Sequence, residues 1–526
     1  MAVAKAKAKK QNQNQGILYP IILIIPAVIL IVCGIIFKSP AMIPYILAYA
    51  LVAAIPGFFL VSKNYGMAAI LTSMLFILSI TGYIVADNML QKTSLLNDKI
   101  FINAMSEILE KPPALISQKD LDKVKVLYID PNYDSSYGLV EGFTLTLGYD
   151  EAVEYMEAEN QDDYDTDTVN GFFKSAKSGE YIADYSSLAL FTNLEYLSIN
   201  APNYYYYYYY GMTPYNLEQL TDISFVENMT SLKKVTVYNT AATDFSAFGK
   251  LASITNLDIE YCTIEDAGVF SGLNNLESLN LTGAGISDMS FVSSLANIKE
   301  LYLGGNEISD ISAVKNLANL TNLSLNTNHV EDISSLFGLT SLTSLNLYYN
   351  QIKDITALSK LTSLENLYIA GNEIEDISAI SYLDSLKYLD IMENNITEIT
   401  SIKNCQALET LYCSNNAISD ISALSGLASL TTLVADGNEI ADLSPLSTLA
   451  GLTQLSLKNN NIADISPLKS LEALTSLYLD ENIITDFSPI DTIEENGATV
   501  SGRDNQLLES IESDESDDTA EGDATE

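Results

Sequence analysis

Hydrophobic residues recur with a period of 22 residues through most of the chain. The unit that starts at Leu320 reads LTNLSLNTNHVEDISSLFGLTS, and the unit that starts at Leu342 reads LTSLNLYYNQIKDITALSKLTS. In each unit, aliphatic and polar residues alternate over a short segment, which is the pattern of a half-buried strand. Aliphatic centres at Leu127, at Leu197 and then at every 22nd residue from Val235 to Leu477 predict fourteen strands. A constant period of this length predicts stacked units that share one apolar core.

An asparagine follows the predicted strand in nine consecutive units. The column consists of Asn306, Asn328, Asn350, Asn372, Asn394, Asn416, Asn438, Asn460 and Asn482. We expect each amide to turn inward after its strand, where it can hydrogen bond to backbone groups of neighbouring units. The sequence therefore predicts a structural asparagine ladder.

The pattern L-x-x-L-x-L-x-x-N/C-x-L/I resembles the leucine-rich repeat, and the following D-I-S-x-L half resembles the internalin-like class of bacterial surface proteins. The resemblance implies a solenoid, a right-handed horseshoe of strands and 3-10 turns with parallel strands on its concave face. We place the repeats at 126–495, interrupted by insertions at 133–181 and 203–219. The resemblance also implies a helical cap at 87–125 and a closing strand at 496–506, because uncapped end repeats would expose their core.

Three uncharged apolar stretches precede the repeats, at 17–37, 41–61 and 67–86. Each reaches the ~20 residues that a helix needs to cross a bilayer. The basic segment 1–16 stands before them, and the positive-inside rule places it in the cytoplasm. A cleaved signal peptide is the alternative for the first stretch, but no small-residue cleavage site follows it. Three transmembrane helices then predict a multi-pass protein of the cell membrane, with the lipid bilayer as a partner and the repeats extracellular.

The charge of the chain excludes several functions. The net charge is −42, with 68 acidic and 26 basic residues, although residues 1–86 contain no acid. This balance excludes nucleic-acid binding through phosphate neutralisation. The chain has a single histidine, His329, and no nucleophile–base pair stands out from the repeat pattern, so we expect no enzyme, no cofactor and no metal. Cys262, Cys405 and Cys413 occupy core positions and are expected to be buried apolar residues.

An acidic residue also recurs once in each unit, ahead of the short turn that begins Ile-Ser. The column consists of Asp184, Asp222, Asp244, Asp266, Asp288, Asp310, Asp332, Asp354, Asp376, Glu398, Asp420, Asp442, Asp464 and Asp486. We expect these carboxylates to accept the free N–H groups of the turn, with cation binding as the alternative. The segment 163–167 is similar to part of a calcium loop, but Thr168 and Lys174 replace the required glycine and glutamate. The acidic segment 507–526 is expected to be a disordered tail.

The resemblance implies that the concave strand face binds a protein ligand on the extracytoplasmic side. Outward positions of the strands are mostly small and polar, with one concentration of aromatic residues. The predicted patch consists of Tyr348, Tyr349, Tyr368, Tyr388, Tyr412 and Asp390. Neighbouring strands lie ~4.8 Å apart, so these rings are expected to fall within one patch. Tyrosine is enriched in binding hot spots, and Asp390 with Glu393 would favour a basic partner.

Several alternatives stay open from the sequence. Tyrosines also suit a pleated surface for structural reasons alone. The run Tyr204–Tyr210 in the second insertion is a competing contact site. Two other functions remain, a structural subunit of a membrane complex that uses the repeats as a scaffold, and a binder of an envelope glycan.

Overall fold

The computed structural model describes residues 94–134, 138–157, 173–178, 180, 182–199, 218 and 220–503. They fall into two compact units that divide between Leu194 and Glu195. The predicted spans at 17–37, 41–61 and 67–86, the calcium-like segment 163–167, the run Tyr204–Tyr210 and the tail 507–526 lie outside the described residues.

The amino-terminal unit combines short helices with antiparallel strands. Its helices are α1 (Lys99–Ile108), α2 (Gln118–Leu121) and α3 (Asp150–Glu157), with 3-10 helices at Pro113–Leu115 and Ser186–Leu190. Its strands are β1 (Val126–Asp134), β2 (Gly138–Gly148) and β3 (Phe173–Ser178). Strand β2 pairs antiparallel with β1 and with β3, and Leu127 lies opposite Leu147. The segment predicted as an insertion at 133–181 therefore contributes two strands and a helix of its own.

Buried carboxylates fix the helix ends of this unit. Asp98 is 8% exposed and accepts hydrogen bonds from the backbone N–H groups of Ile100 and Phe101, at 2.8 and 2.9 Å. These bonds satisfy N–H groups that the first turn of α1 leaves without helical partners. Asp120 accepts from Ser117 and pairs with Lys111. The Lys111 ammonium and the Ser117 donors hold the pKa of Asp120 well below its usual range.

The carboxy-terminal unit is a solenoid built on one parallel sheet. Its strands are β4 (Tyr196–Ile199), β5 (Lys234–Tyr238), β6 (Asn256–Glu260), β7 (Ser278–Asn280), β8 (Glu300–Tyr302), β9 (Asn322–Ser324), β10 (Ser344–Asn346), β11 (Asn366–Tyr368), β12 (Tyr388–Asp390), β13 (Thr410–Tyr412), β14 (Thr432–Val434), β15 (Gln454–Ser456), β16 (Ser476–Tyr478) and β17 (Thr499–Ser501). Each pairs in parallel with the next, and from β5 to β16 every residue lies opposite the one 22 positions later, as Leu367 does with Leu345 and Leu389. The sequence period is thus the register of the sheet.

Short 3-10 helices return the chain from one strand to the next. They span Ser224–Asn228, Ser246–Lys250, Ala267–Gly272, Ser290–Ser294, Ser312–Val314, Ser334–Gly338, Thr356–Lys360, Ser378–Tyr382, Thr400–Asn404, Ser422–Leu424, Ser444–Thr448, Ser466–Ser470 and Ser488–Ile490, and the last is followed by α4 (Asp491–Glu495). The strand leucines and the aliphatic residues of these turns form the core, in which Leu345, Leu367 and Leu389 are fully buried. Such regular burial explains why a single 22-residue pattern is enough to specify the solenoid.

The predicted fold class requires one correction. Within residues 94–503, as far as the structure describes them, no helix is both long and apolar enough to cross a membrane. The leucine-rich-repeat solenoid of the predicted fold class is present, whereas the prediction of three transmembrane helices ahead of it is contradicted. The prediction of a multi-pass membrane protein, with the bilayer as a partner and extracellular repeats, is withdrawn with them.

Candidate binding surface

The asparagine column links neighbouring repeats by hydrogen bonds in the interior of the solenoid. The Oδ1 atom of Asn372 accepts the Ile352 N–H at 3.0 Å, and its Nδ2 donates to the carbonyl oxygens of Leu347 and Ile369, each at 3.0 Å. The same bonds recur from Asn306 to Asn482. Most of these side chains are less than a tenth exposed, so they belong to the interior and not to a ligand site.

The acidic column turns the chain into the 3-10 helices. From Asp184 to Asp486, an Oδ1 atom accepts the backbone N–H two residues later, at 2.7–2.9 Å. Glu398 differs, since its backbone forms an isolated parallel bridge with Asp420. Among the described residues, no three carboxylate, cysteine or histidine side chains come together as a metal site. The geometry of the column is that of a turn cap.

We expect these caps to make the stability of the solenoid sensitive to acid. The backbone N–H bonds lower the pKa values of six carboxyls from 3.8, namely Asp222, Asp244, Asp310, Asp354, Asp420 and Asp464. A pKa that is lower in the folded state contributes stability above the unfolded value, and this stability is lost as the pH falls through the folded value. We expect the melting temperature to drop below about pH 4.

A variant with asparagine at all six capping positions is the matched control for this pH dependence. Asparagine keeps an Oδ1 acceptor for the turn N–H but carries no titratable proton. The melting temperature of this variant should depend less steeply on pH below about pH 4 than that of the wild type. Parallel curves for the two proteins would show that the caps do not contribute to acid sensitivity.

A left-handed residue stands directly before each asparagine of the ladder. Tyr349 and Glu393 occupy this position with φ values of 50° and 52°, and Gly371 occupies it between them at 65°. A bulky residue with positive φ is uncommon outside tight turns. At this bend the Tyr349 ring turns toward Gly371, and its phenol donates to the Glu393 carboxylate at 3.4 Å. The repeat period alone did not indicate this backbone conformation.

The structure brings the predicted tyrosines into contact on the strand face, by which we mean the outward surface of the parallel sheet. The rings of Tyr368 and Tyr388 lie 4.7 Å apart, and those of Tyr388 and Tyr412 lie 5.6 Å apart. Tyr348 and Tyr349 form a separate edge-to-face pair at 4.3 Å. The hydrogen bond to Tyr349, together with burial, raises the pKa of Tyr348 to about 12. We call these five residues with Asp390 the tyrosine patch.

Asp390 lies in the middle of the tyrosine patch. In the parallel register it stands opposite Tyr368 on one side and Tyr412 on the other, and Tyr388 is two residues before it on its own strand. Its side chain is only 9% exposed, and it accepts the Met392 N–H at 3.1 Å. Burial is the main cause that raises its pKa.

A substitution at Gly371 should disturb the patch specifically. A Cβ atom at Gly371 would lie 2.2 Å from Cδ1 of Tyr349, and the backbone there has a φ of 65°. Gly371→Ala should therefore cost the ~1–2 kcal/mol of a left-handed alanine and also displace the Tyr349 ring. Gly305→Ala is the matched control, because φ is also 65° there but the nearest atom is a backbone nitrogen at 3.7 Å. Equal losses in melting temperature would contradict a fixed Tyr349 ring.

A second polar cluster on the strand face was missed from the sequence. The rings of Tyr238 and Tyr261 lie 5.3 Å apart, beside Asp258 and Glu260. Burial and the neighbouring Glu260 carboxylate raise the pKa of Asp258. Asp258 occupies the same repeat slot as Asp390, and Tyr261 the same slot as Tyr349. An alignment of the repeats position by position would have identified this cluster from the sequence.

Comparison with known proteins agrees with this architecture. A family model of leucine-rich repeats in two copies matches residues 296–338, 340–382, 362–404, 384–426, 406–448, 428–470 and 450–492. The solved structure of an internalin (InlF) from Listeria monocytogenes is 34% identical, with a TM-score of 0.52, and the match covers 53% of this chain and 83% of that one. This chain belongs to the internalin-like leucine-rich-repeat proteins. The resemblance read from the sequence is thereby confirmed.

A second solved structure is similar to a smaller part of the chain. An internalin C2 from Listeria monocytogenes is also 34% identical, with a TM-score of 0.34, and the match covers 35% of this chain and 83% of that one. No curated protein matches the chain. Leucine-rich-repeat proteins are binding scaffolds that offer an extended concave surface to protein ligands.

Proposed function

We propose that this internalin-like protein binds a protein partner through its strand face, with the tyrosine patch at the centre of the contact. The observation that carries the proposal is the continuous set of ring contacts from Tyr368 through Tyr388 to Tyr412, across three adjacent strands. The core leucines beneath them fix the spacing of these strands. The rings therefore form a rigid surface before any partner arrives.

Tyrosines in this arrangement suit protein recognition. Each ring offers a large amphipathic contact area while only two side-chain torsions have to be ordered. Tyr349 is 45% exposed and so has most to bury on binding, whereas Tyr368, Tyr388 and Tyr412 are half-buried and already held by their neighbours. Pre-ordered aromatic residues lower the entropy that association costs. The patch therefore has the composition expected of a binding hot spot.

The test compares the patch with the competing tyrosine run. The full chain is used to capture a partner, and the affinity of the purified partner is then measured for two variants. In one, Tyr348, Tyr368, Tyr388 and Tyr412 become serine together, and in the other Tyr204–Tyr210 becomes serine. We expect the first variant to lose affinity ~100-fold or more, in line with hot-spot truncations. The second should bind as the wild type does.

An exposed tyrosine elsewhere provides the control. Tyr382 is 60% exposed and belongs to the 3-10 helix Ser378–Tyr382, outside the strand face, so Tyr382→Ser should leave binding unchanged. A folded patch variant that binds normally, with loss of binding in the Tyr204–Tyr210 variant, would contradict the proposal. Recognition of a sugar on a glycan array, without any protein ligand, would also contradict it.

A further inference from the structure

The centre of the tyrosine patch is a largely buried carboxylate with which no described lysine or arginine is paired. Asp390 is 9% exposed, and among the described residues its only hydrogen-bond donor is the Met392 N–H. This bond leaves the second carboxylate oxygen without a donor from the described residues. The second oxygen is not fully enclosed by the protein, so a ligand can reach it. Partial burial disfavours the charge of this group, and a cation at the second oxygen would offset that cost.

The basic residue nearest in sequence is already paired elsewhere. Lys387 stands three residues before Asp390, but its Nζ atom donates to Glu365 at 2.8 Å. Glu393, which adds a second carboxylate to the patch, receives the Tyr349 phenol at 3.4 Å. The tyrosine patch and the neighbouring Glu393 thus present two carboxylates and five aromatic rings, and no described lysine or arginine forms an ion pair with either carboxylate.

Elsewhere on the strand face, a tyrosine and a carboxylate do hold a cation. Tyr478 occupies the strand slot of Tyr368 and Tyr412, three repeats beyond Tyr412. There the ammonium of Lys458 lies 4.8 Å from the ring centroid of Tyr478 and 3.6 Å from the Asp480 carboxylate. Tyrosine, carboxylate and cation therefore come together within this fold. In the tyrosine patch the tyrosines and the carboxylate are present, and no lysine or arginine of the described residues forms an ion pair with that carboxylate.

We propose that the tyrosine patch accepts a basic side chain, lysine or arginine, of the protein partner. The cation lies against the rings of Tyr368, Tyr388 and Tyr412 and pairs with Asp390. Cations are attracted to the faces of aromatic rings, and the attraction is stronger where water is displaced. Such a contact gives Asp390 a cation in addition to the Met392 N–H that it already accepts. This inference rests on the proposed function, since it names the chemistry recognised at the same surface.

The charge of the whole chain favours the same partner chemistry. The net charge is −42, so a partner with a basic surface is attracted to the molecule before it docks. Charge alone would attract cations to many places on the molecule. The tyrosine patch differs because its carboxylate is buried among rings and therefore requires a single side chain of matching shape.

The experiment uses capped single amino acids as probes. Nα-acetyl-arginine methylamide and Nα-acetyl-lysine methylamide are titrated into the full chain labelled with ¹³C in its tyrosine rings, and binding is followed by NMR. The citrulline and norleucine derivatives serve as neutral probes of similar size. We expect the cationic probes to shift ring signals that disappear in the variant with Tyr348, Tyr368, Tyr388 and Tyr412 changed to serine. The neutral probes should leave these signals in place, and the two cationic arms show whether arginine or lysine is preferred.

Two carboxylate variants test whether the cationic probe is held by Asp390 or only by the overall negative charge of the protein. Asp390→Asn should weaken binding of the cationic probe ~10-fold or more, as loss of one partner of a buried charged pair does. Glu300→Gln is the matched control, because Glu300 is a strand-face carboxylate outside the patch that accepts from Ser278 at 3.0 Å. It should leave the affinity unchanged.

Three results would overturn the inference. They are equal binding of the citrulline and arginine probes, equal binding by Asp390→Asn and wild type, and no shift of the patch signals with either cation. None of these results bears on the proposed function, which is contradicted instead if the folded tyrosine variant binds the protein partner normally or if the chain recognises a glycan and no protein ligand. The two proposals can therefore fail separately.

Discussion

Asn372→Ala is expected to destabilise the solenoid strongly. The Asn372 side chain is 8% exposed, accepts the Ile352 N–H and donates to three carbonyl oxygens, those of Leu347, Ile369 and Ala370. Alanine removes all of these bonds and leaves buried backbone groups without partners, at ~1–3 kcal/mol for each group left unsatisfied. Because each repeat contacts only its neighbours, a defect in the middle weakens the stack on both sides. Thermal and denaturant unfolding measure the loss.

Asn366→Ala is the matched control for the ladder. It makes the same chemical change in the same repeat, but Asn366 lies on strand β11 with its side chain on the half-buried outer face. Surface substitutions of this kind usually change the free energy of unfolding by less than ~0.5 kcal/mol. A small and equal loss in the two variants would contradict the inward role of the asparagine column.

Leu389→Ala is expected to have a comparable or larger effect. Leu389 is fully buried on strand β12 and lies between Leu367 and Leu411 in the parallel register. Truncation of a buried leucine costs ~2–5 kcal/mol, because apolar contacts are lost and a cavity remains. The position also lies directly beneath the tyrosine patch, so loss of the leucine should loosen the rings of Tyr368 and Tyr388.

The control for this core substitution is Tyr382→Ala, which removes a larger side chain that is 60% exposed. We expect a change of less than ~0.5 kcal/mol there. Unfolding is followed by circular dichroism, and the patch is followed through its tyrosine ring signals. If Leu389→Ala cost less than ~1 kcal/mol, the strand leucines would not form the continuous core described here.

Much of the candidate site could be predicted from the sequence because the repeat is also the register. Residues 22 positions apart become neighbours on adjacent strands, so the alignment of units already placed Tyr368 beside Asp390 and Asp390 beside Tyr412. The strand alternation then showed which of them lie outward. The same logic located the ladder amides and the turn carboxylates, since each recurs once per unit at a fixed distance from the strand.

Other features of the patch could not be predicted in this way. The period does not say which outward carboxylate is buried, and the structure shows that Asp390, which stands between Tyr368 and Tyr412 in the register, is only 9% exposed. It also does not reveal the left-handed backbone at Tyr349 and Glu393, which brings the phenol of one to the carboxylate of the other. The backbone conformation at a bend depends on the geometry of that turn, and the pattern of apolar and polar residues along the chain does not show it.

The limit of prediction from the sequence is clearest in the amino-terminal unit. Leu127 fits the strand slot of a repeat, and the strand that contains it, β1, also pairs antiparallel with β2, a strand from the segment that we had treated as an insertion. The sequence by itself determined the solenoid, its register and its internal ladder, because these depend on contacts between neighbours that share one pattern. Only the tertiary structure decided the pairing of β1 and the environment of Asp390, because these depend on contacts that occur once and leave no period in the chain.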